Sequence, residues 1–278
     1  LHAYTLASGS PVELPGFPFK ANYMDGLNDP PLDADEPSYL TARAYQTGGI
    51  DLDIARETLT NFAPAVGDID GDGNPEIFAV SFAGTIYVVQ NDGTLRTGWP
   101  KRLNRIPSCS LDPSSPTTVP CMSTESRIAR GAMAAPVLED MDLDGDLDII
   151  VAAFDGKVYI FDGEGNDVPG FPVEVLYDGK FGGDPPAPNR IFTTPAVADL
   201  NGDGTPDLIV GSNQLVGEGG NSGAVYAIDG RGTNAPIAYL PNWPVTMTSL
   251  NLFPLVAEGI TNSPVVATFD GALAAVAH

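Results

Sequence analysis

Asp68-Ile69-Asp70-Gly71-Asp72-Gly73-Asn74-Pro75-Glu76 places side-chain oxygens at positions 1, 3, 5 and 9 of a nine-residue stretch. The pattern returns as Asp140-Met141-Asp142-Leu143-Asp144-Gly145-Asp146-Leu147-Asp148. It returns again as Asp199-Leu200-Asn201-Gly202-Asp203-Gly204-Thr205-Pro206-Asp207. Hard oxygen donors at alternate positions of a glycine-bent loop converge on one cation, and six to eight oxygens suit Ca²⁺. Glycine at position 4, 6 or both allows the tight turn that such wrapping needs. The loops are not EF-hands, which close with a bidentate Glu at position 12. Position 12 here is Ala79, Val151 or Val210, each inside an apolar run of strand type. The ninth-position carboxylate must therefore close each site, and about three calcium ions per chain are expected, one for each loop. A plain acidic turn would share the Asp and Gly content, but not the same oxygen pattern three times.

The loops sit inside an internal repeat. Each unit opens with Pro-Ala or Pro-Val and continues through an acidic loop, an apolar strand and a Gly-x-hydrophobic-Tyr strand to a Gly/Asn-aromatic-Pro ending. From the opening proline to the tyrosine is 23 residues in both Pro64–Tyr87 and Pro136–Tyr159. From the tyrosine to the closing proline is 13 residues in both Tyr87–Pro100 and Phe171-Pro172 after Tyr159. The third unit, Pro195 through Tyr226 to Pro244, is longer because of a Gly-rich insertion near Val216–Ser222 and extra residues around Gly232–Tyr239. Turns such as Asn91-Asp92-Gly93 are hairpin chemistry. Each unit thus reads as four short strands, and tandem four-stranded units predict an all-β fold, a β-propeller or a segment of one.

Expected boundaries are a half blade at 1–20, blades at 62–100, 134–172 and 193–244, and a second half blade at 262–278. Long connections fill 21–61, 101–132, 173–192 and 245–261. About four repeat units are visible. The two halves would together make one blade, but across that junction only 18 residues separate proline from tyrosine. That shortfall favours missing sequence and a larger propeller. The last unit's loop is degenerate, with Thr268 at position 1 and Ala272 at position 5, so no metal is expected there. Asp51–Thr60 reads as one or two helical turns.

The net charge of −23 argues against a nucleic-acid partner, which needs a basic footprint. The three loops hold twelve of the 36 acidic residues, so bound calcium would neutralise part of that charge. No apolar run approaches the ~18 residues of a membrane helix. Cys109 and Cys121 bracket a polar Pro/Ser/Thr-rich segment without a histidine nearby, which favours a disulfide and an oxidising compartment. No signal peptide is visible, so the chain reads as a mature product or a fragment. His2 and His278 are its two histidines, both terminal, and no nucleophile elbow, HExxH helix, P-loop or haem motif appears. No catalytic or cofactor-binding residues are assigned. A carboxylate pair for glycan chemistry would need only two acids, and Trp99 and Trp243 could act as sugar platforms. Their place in a repeated ending makes packing the better reading.

At these motifs the chain resembles the FG-GAP/VCBS repeat family, the calcium-loop propellers related to the integrin α-subunit head. The matching residues are the three loops, Phe82–Gly84, Phe154–Gly156 and the Gly-Phe-Pro endings. The resemblance implies calcium in the loops at Asp68–Glu76, Asp140–Asp148 and Asp199–Asp207, with position 7 (Asn74, Asp146, Thr205) donating a backbone carbonyl. It also implies an extracellular, cell-surface or periplasmic location, and adhesion through a protein or glycan ligand. The chain departs from the family in its fewer units and long inter-blade loops. Two other readings are kept: a polysaccharide lyase or hydrolase on a propeller scaffold, and a subunit that self-associates through its terminal half blades.

Overall fold

The computed structural model describes residues 1–6, 9–21, 57, 59, 63–82, 84–103, 109–110, 119–120, 131–175, 190–215, 221–232, 239–246, 263–269 and 272–276. The chain begins with a short hairpin, β1 (Tyr4–Thr5) against β2 (Val12–Glu13). An antiparallel sheet follows in chain order: β3 (Ala65–Gly67), β4 (Glu76–Val80), β5 (Thr85–Val89) and β6 (Lys101–Arg102). Two short strands, β7 (Cys109–Ser110) and β8 (Val119–Pro120), then pair in parallel. The second sheet repeats the first with β9 (Val137–Glu139), β10 (Asp148–Ala152), β11 (Lys157–Phe161) and β12 (Val173–Glu174). The third gains a strand, β13 (Arg190–Ile191), ahead of β14 (Ala196–Ala198), β15 (Asp207–Leu215), β16 (Asn221–Ile228) and β17 (Val245–Thr246). A last hairpin joins β18 (Val265–Phe269) to β19 (Ala272–Val276).

The inner strands are apolar without alternation because both faces of each sheet are covered. Successive residues of a strand point to opposite faces. Phe78, Val80, Ile86 and Val88 pack with Ile149, Val151, Tyr159 and Phe161 of the second sheet. Tyr87 and Val89 turn the other way, onto Leu1, Phe17 and Phe19 of the N-terminal segment. Ile150, Ala152, Val158 and Ile160 meet Leu208, Val210, Tyr226 and Ile228 of the third sheet. Ile209 and Val225 face Val266 of the last hairpin. The sheets are therefore stacked face to face in chain order, as successive blades are. A two-layer sandwich would leave one face of each sheet to solvent.

The Gly-aromatic-Pro endings bind one blade to the next. Gly16, Gly98 and Gly170 all have φ between +85° and +95°. A Cβ on them would meet the turn of the following sheet: Asp92 O at 1.7 Å, Glu164 O at 2.8 Å and Arg231 O at 2.8 Å. In the fourth ending Asn242 takes φ +70°, which Asn tolerates better than other side chains. Trp99 is 7% exposed, lies edge-on to Phe161, and donates its Nε1–H to the Gly163 carbonyl at 3.2 Å. It is a blade-junction residue, and its ring offers no open sugar platform. Gly98→Ala combines a left-handed backbone with a backbone clash and should cost about 2–3 kcal/mol, read as a lower urea midpoint.

Within 51–60 only Glu57 and Leu59 are described, so the helical turn expected there lies outside the described residues; Leu59 forms an antiparallel bridge to Ser81. The same extra pairing recurs in the third sheet, where Ile191 faces Ser212. The terminal hairpins form separate two-stranded sheets, so among the described residues they do not unite into a blade that closes a ring. The Gly-rich insertion lies at the tip of the β15–β16 hairpin, whose paired arms run out to Leu215 and Asn221. The Cys109–Cys121 pairing lies outside the described residues, as Cys121 does. No helix among the described residues is long and apolar enough to cross a membrane.

Candidate metal centres

Each acidic loop joins the first strand of a blade to the second, and the same hydrogen bonds shape all three. The position 1 carboxylate accepts from the amides of positions 5 and 6. Asp68 takes Asp72 N at 3.1 Å and Gly73 N at 2.8 Å. Asp140 takes Asp144 N and Gly145 N, and Asp199 takes Asp203 N and Gly204 N. Position 3 (Asp70, Asp142, Asn201) accepts from the position 5 amide, and position 5 (Asp72, Asp144, Asp203) from the position 7 amide. Asn74, Asp146 and Thr205 thus enter this network through their backbone N–H. The loop is bent by left-handed residues: Gly71 and Gly73, Gly202 and Gly204, and in the middle loop Leu143 (φ 63°) with Gly145. Leu143 carries the strain that its glycine counterparts avoid. Leu143→Gly should therefore stabilise by roughly 0.5–1 kcal/mol after glycine's own entropy cost, measurable as a raised urea midpoint.

The ninth carboxylate is the buried member: Glu76, Asp148 and Asp207 are all 3% exposed or less. One oxygen of each accepts from the position 2 amide: Ile69 N at 3.1 Å, Met141 N at 2.9 Å and Leu200 N at 2.9 Å. Burial pushes all three carboxyls up, Asp148 to about 6. Burial, then the neighbouring Asp144 charge, also raises Asp142. Carboxylate oxygens of Asp68, Asp70 and Glu76 lie within 4.8 Å of one another, and so do those of Asp140, Asp142 and Asp148. Oxygens bound to one calcium at 2.3–2.6 Å have separations in this range. The donor set is all oxygen, which suits a hard cation over zinc or copper. Like charges held this close, with one of them desolvated, repel unless a cation sits among them. The residues fit the ion; bound there, it would supply positive charge and a fixed coordination shell.

Position 2 explains why the loop matters to the fold. Ile69 and Met141 are fully buried, Ile69 in the core between the first and second blades and Met141 in that between the second and third. Leu200 packs in the core toward the last hairpin. The chain alternates, so residues 1 and 3 face the acidic pocket while residue 2 plugs the junction with the next blade. Sequence reading passed over this apolar position, although Ile, Met and Leu stand there in turn. It also missed two arginines. Arg96 Nη1 donates to Asp70 Oδ2 at 2.5 Å, which holds that carboxyl below its usual range, and its Nε donates to Gly163 O of the next blade at 3.1 Å. Arg231 pairs with Asp203 at 2.9 Å and with Asp229 at 2.7 Å.

Two further buried carboxylates lie away from the loops. Glu57 accepts from Thr85 Oγ1 at 2.9 Å and from the Tyr87 hydroxyl at 2.6 Å. Asp155 accepts from the Tyr159 hydroxyl and from Lys157 N. These bonds anchor the repeated tyrosines inside the stack. His2 pairs with Glu13 at the surface, and His278 lies outside the described residues.

Residues 140–210 match the sequence model of the FG-GAP-like repeat, and this segment is such a repeat. No curated protein matches the chain significantly. Among solved structures it is similar to BamB from Moraxella catarrhalis, at 15% identity and a TM-score of 0.41, over 80% of this chain and 48% of that one. It is similar to BBS1N in complex with ARL6DN, at 14% identity and a TM-score of 0.39, over 76% and 49% of the two chains. It is also similar to the PilY1 C-terminal domain of Pseudomonas aeruginosa, at 13% identity and a TM-score of 0.38, over 62% and 39%. The chain spans about half or less of the length of these structures.

Proposed function

We propose that the chain is a calcium-stabilised propeller segment acting as an interaction module for a protein or glycan ligand, outside the cytoplasm and without catalysis of its own. One observation carries the reading: three loops share one hydrogen-bond pattern, the first two gather carboxylate oxygens within 4.8 Å of one another, and the second residue of each loop packs into the next blade junction. Calcium would then be structural, since whatever fixes the pocket fixes the plug. Calcium loops of extracellular modules work at about 10⁻⁴–10⁻³ M, the range available outside cells.

The test is a melting curve in calcium, magnesium and chelator, with calorimetric stoichiometry. Raising calcium to about 10 mM should add about 1.4–2.7 kcal/mol per occupied loop. Magnesium should add much less, because it demands a smaller, near-octahedral shell. A melt that calcium leaves unchanged removes the metal from the account. Turnover of any member of a glycan panel would remove the non-catalytic part.

A further inference from the structure

The three loops repeat in sequence but not in charge. The middle loop carries five carboxylates, and among the described residues no basic side chain pairs with any of them. In the first loop the Arg96 guanidinium grips Asp70. The Arg96 side chain is 13% exposed and that of Asp70 31%, so solvent screens the pair from the Asp70 side. In the third loop Asn201 replaces a carboxylate at position 3, and Arg231 pairs with Asp203. We propose that Arg96 and Arg231 are internal counter-cations of the first and third loops, leaving the middle loop the tightest calcium site. The inference rests on the calcium reading above and adds the rank of the sites and the residues that set it.

The physical reason is competition. A fixed positive charge a few ångströms from the ion opposes its entry, and a carboxylate oxygen held by a guanidinium must be shared or released before it can ligate. The same contact has a second consequence at the first junction. Arg96 spans from Asp70 to the Gly163 carbonyl of the next blade, so it bridges the junction that Ile69 plugs. That junction keeps a cationic tie in chelator. The Met141 junction, whose loop lacks such a tie among the described residues, depends on calcium more heavily.

A calcium titration of the intact chain, followed by amide NMR, reads the loops separately through Gly73, Gly145 and Gly204. Gly145 should reach its midpoint first, at a calcium concentration at least about 5-fold below the other two. Arg96→Gln should move the Gly73 midpoint at least about 3-fold toward lower calcium and leave Gly145 in place. Arg96→Lys, which keeps the charge, should move it less. Arg231→Gln should do the same for Gly204; it is half exposed and removes no core packing, so it answers the question if Arg96→Gln fails to fold. Coincident midpoints, or an order that both arginine variants leave untouched, overturn the ranking while calcium binding stands. Absence of any calcium response at all three glycines overturns the functional reading beneath it.

Discussion

Asp148→Asn is expected to stabilise the metal-free protein at neutral pH and to destabilise the calcium-loaded one. Asp148 is buried, and burial raises its carboxyl to about 6 from an ordinary 3.8. A group whose folded value is raised gives stability that is complete below the unfolded value and lost as pH rises through the folded one. In chelator the wild type should therefore lose stability between about pH 4 and 6.5, an increment that the neutral amide does not lose. Asn keeps an acceptor for the Met141 amide, which Asp148 holds at 2.9 Å. Calcium reverses the balance, because the ion needs the ionised carboxylate. In saturating calcium the variant should melt lower by about 5 °C or more. The difference between variant and wild type cancels the general repulsion of a chain with net charge −23. A variant that melts lower than wild type in chelator and calcium alike would show that Asp148 is only a structural anchor.

Gly230→Ala should be severely damaging, whereas Gly163→Ala at the matching position one blade earlier should be tolerated. Both follow the third strand of a blade and lie beside the plug of the blade before. At Gly230 a Cβ would fall 1.7 Å from the Pro206 carbonyl oxygen and 3.3 Å from the Met141 methyl carbon. The Gly230 amide also donates to Asp207 at 3.2 Å, so the third loop, the turn and the plug of the second loop converge on this residue. Backbone cannot yield to such an overlap without moving the loop. A loss above about 3 kcal/mol, or failure to fold, is expected. At Gly163 the nearest atoms, both of Ile69, stand at 3.4 Å, an ordinary contact, so the cost should stay below about 1 kcal/mol. Comparison of urea midpoints for the two variants checks both.

Those two glycines also mark where sequence reading ran out. The strands were legible because buried sheets need continuous apolar runs, and the loops because ligand oxygens fall on alternate residues. The plug at Ile69, Met141 and Leu200 was visible as a pattern, yet its meaning depends on a neighbouring blade that no local spacing reveals. Arg96 lies 26 residues from Asp70 and 67 from Gly163, and nothing in its sequence surroundings announces either partner. The bridges at Leu59 and Ile191 belong to segments without strand-like alternation, so no local spacing announces them. The last hairpin pairs Phe269 directly with Ala272, and there the nine-residue loop is absent altogether.

Amide hydrogen exchange at Ile69, Met141 and Leu200, in saturating calcium against chelator, tests most directly whether the acidic loops hold the blade junctions shut. Each of these amides donates to a ninth-position carboxylate and belongs to a junction plug. Calcium should slow their exchange by about ten-fold or more, Met141 most of all. Exchange rates that calcium leaves unaltered at all three would contradict the account.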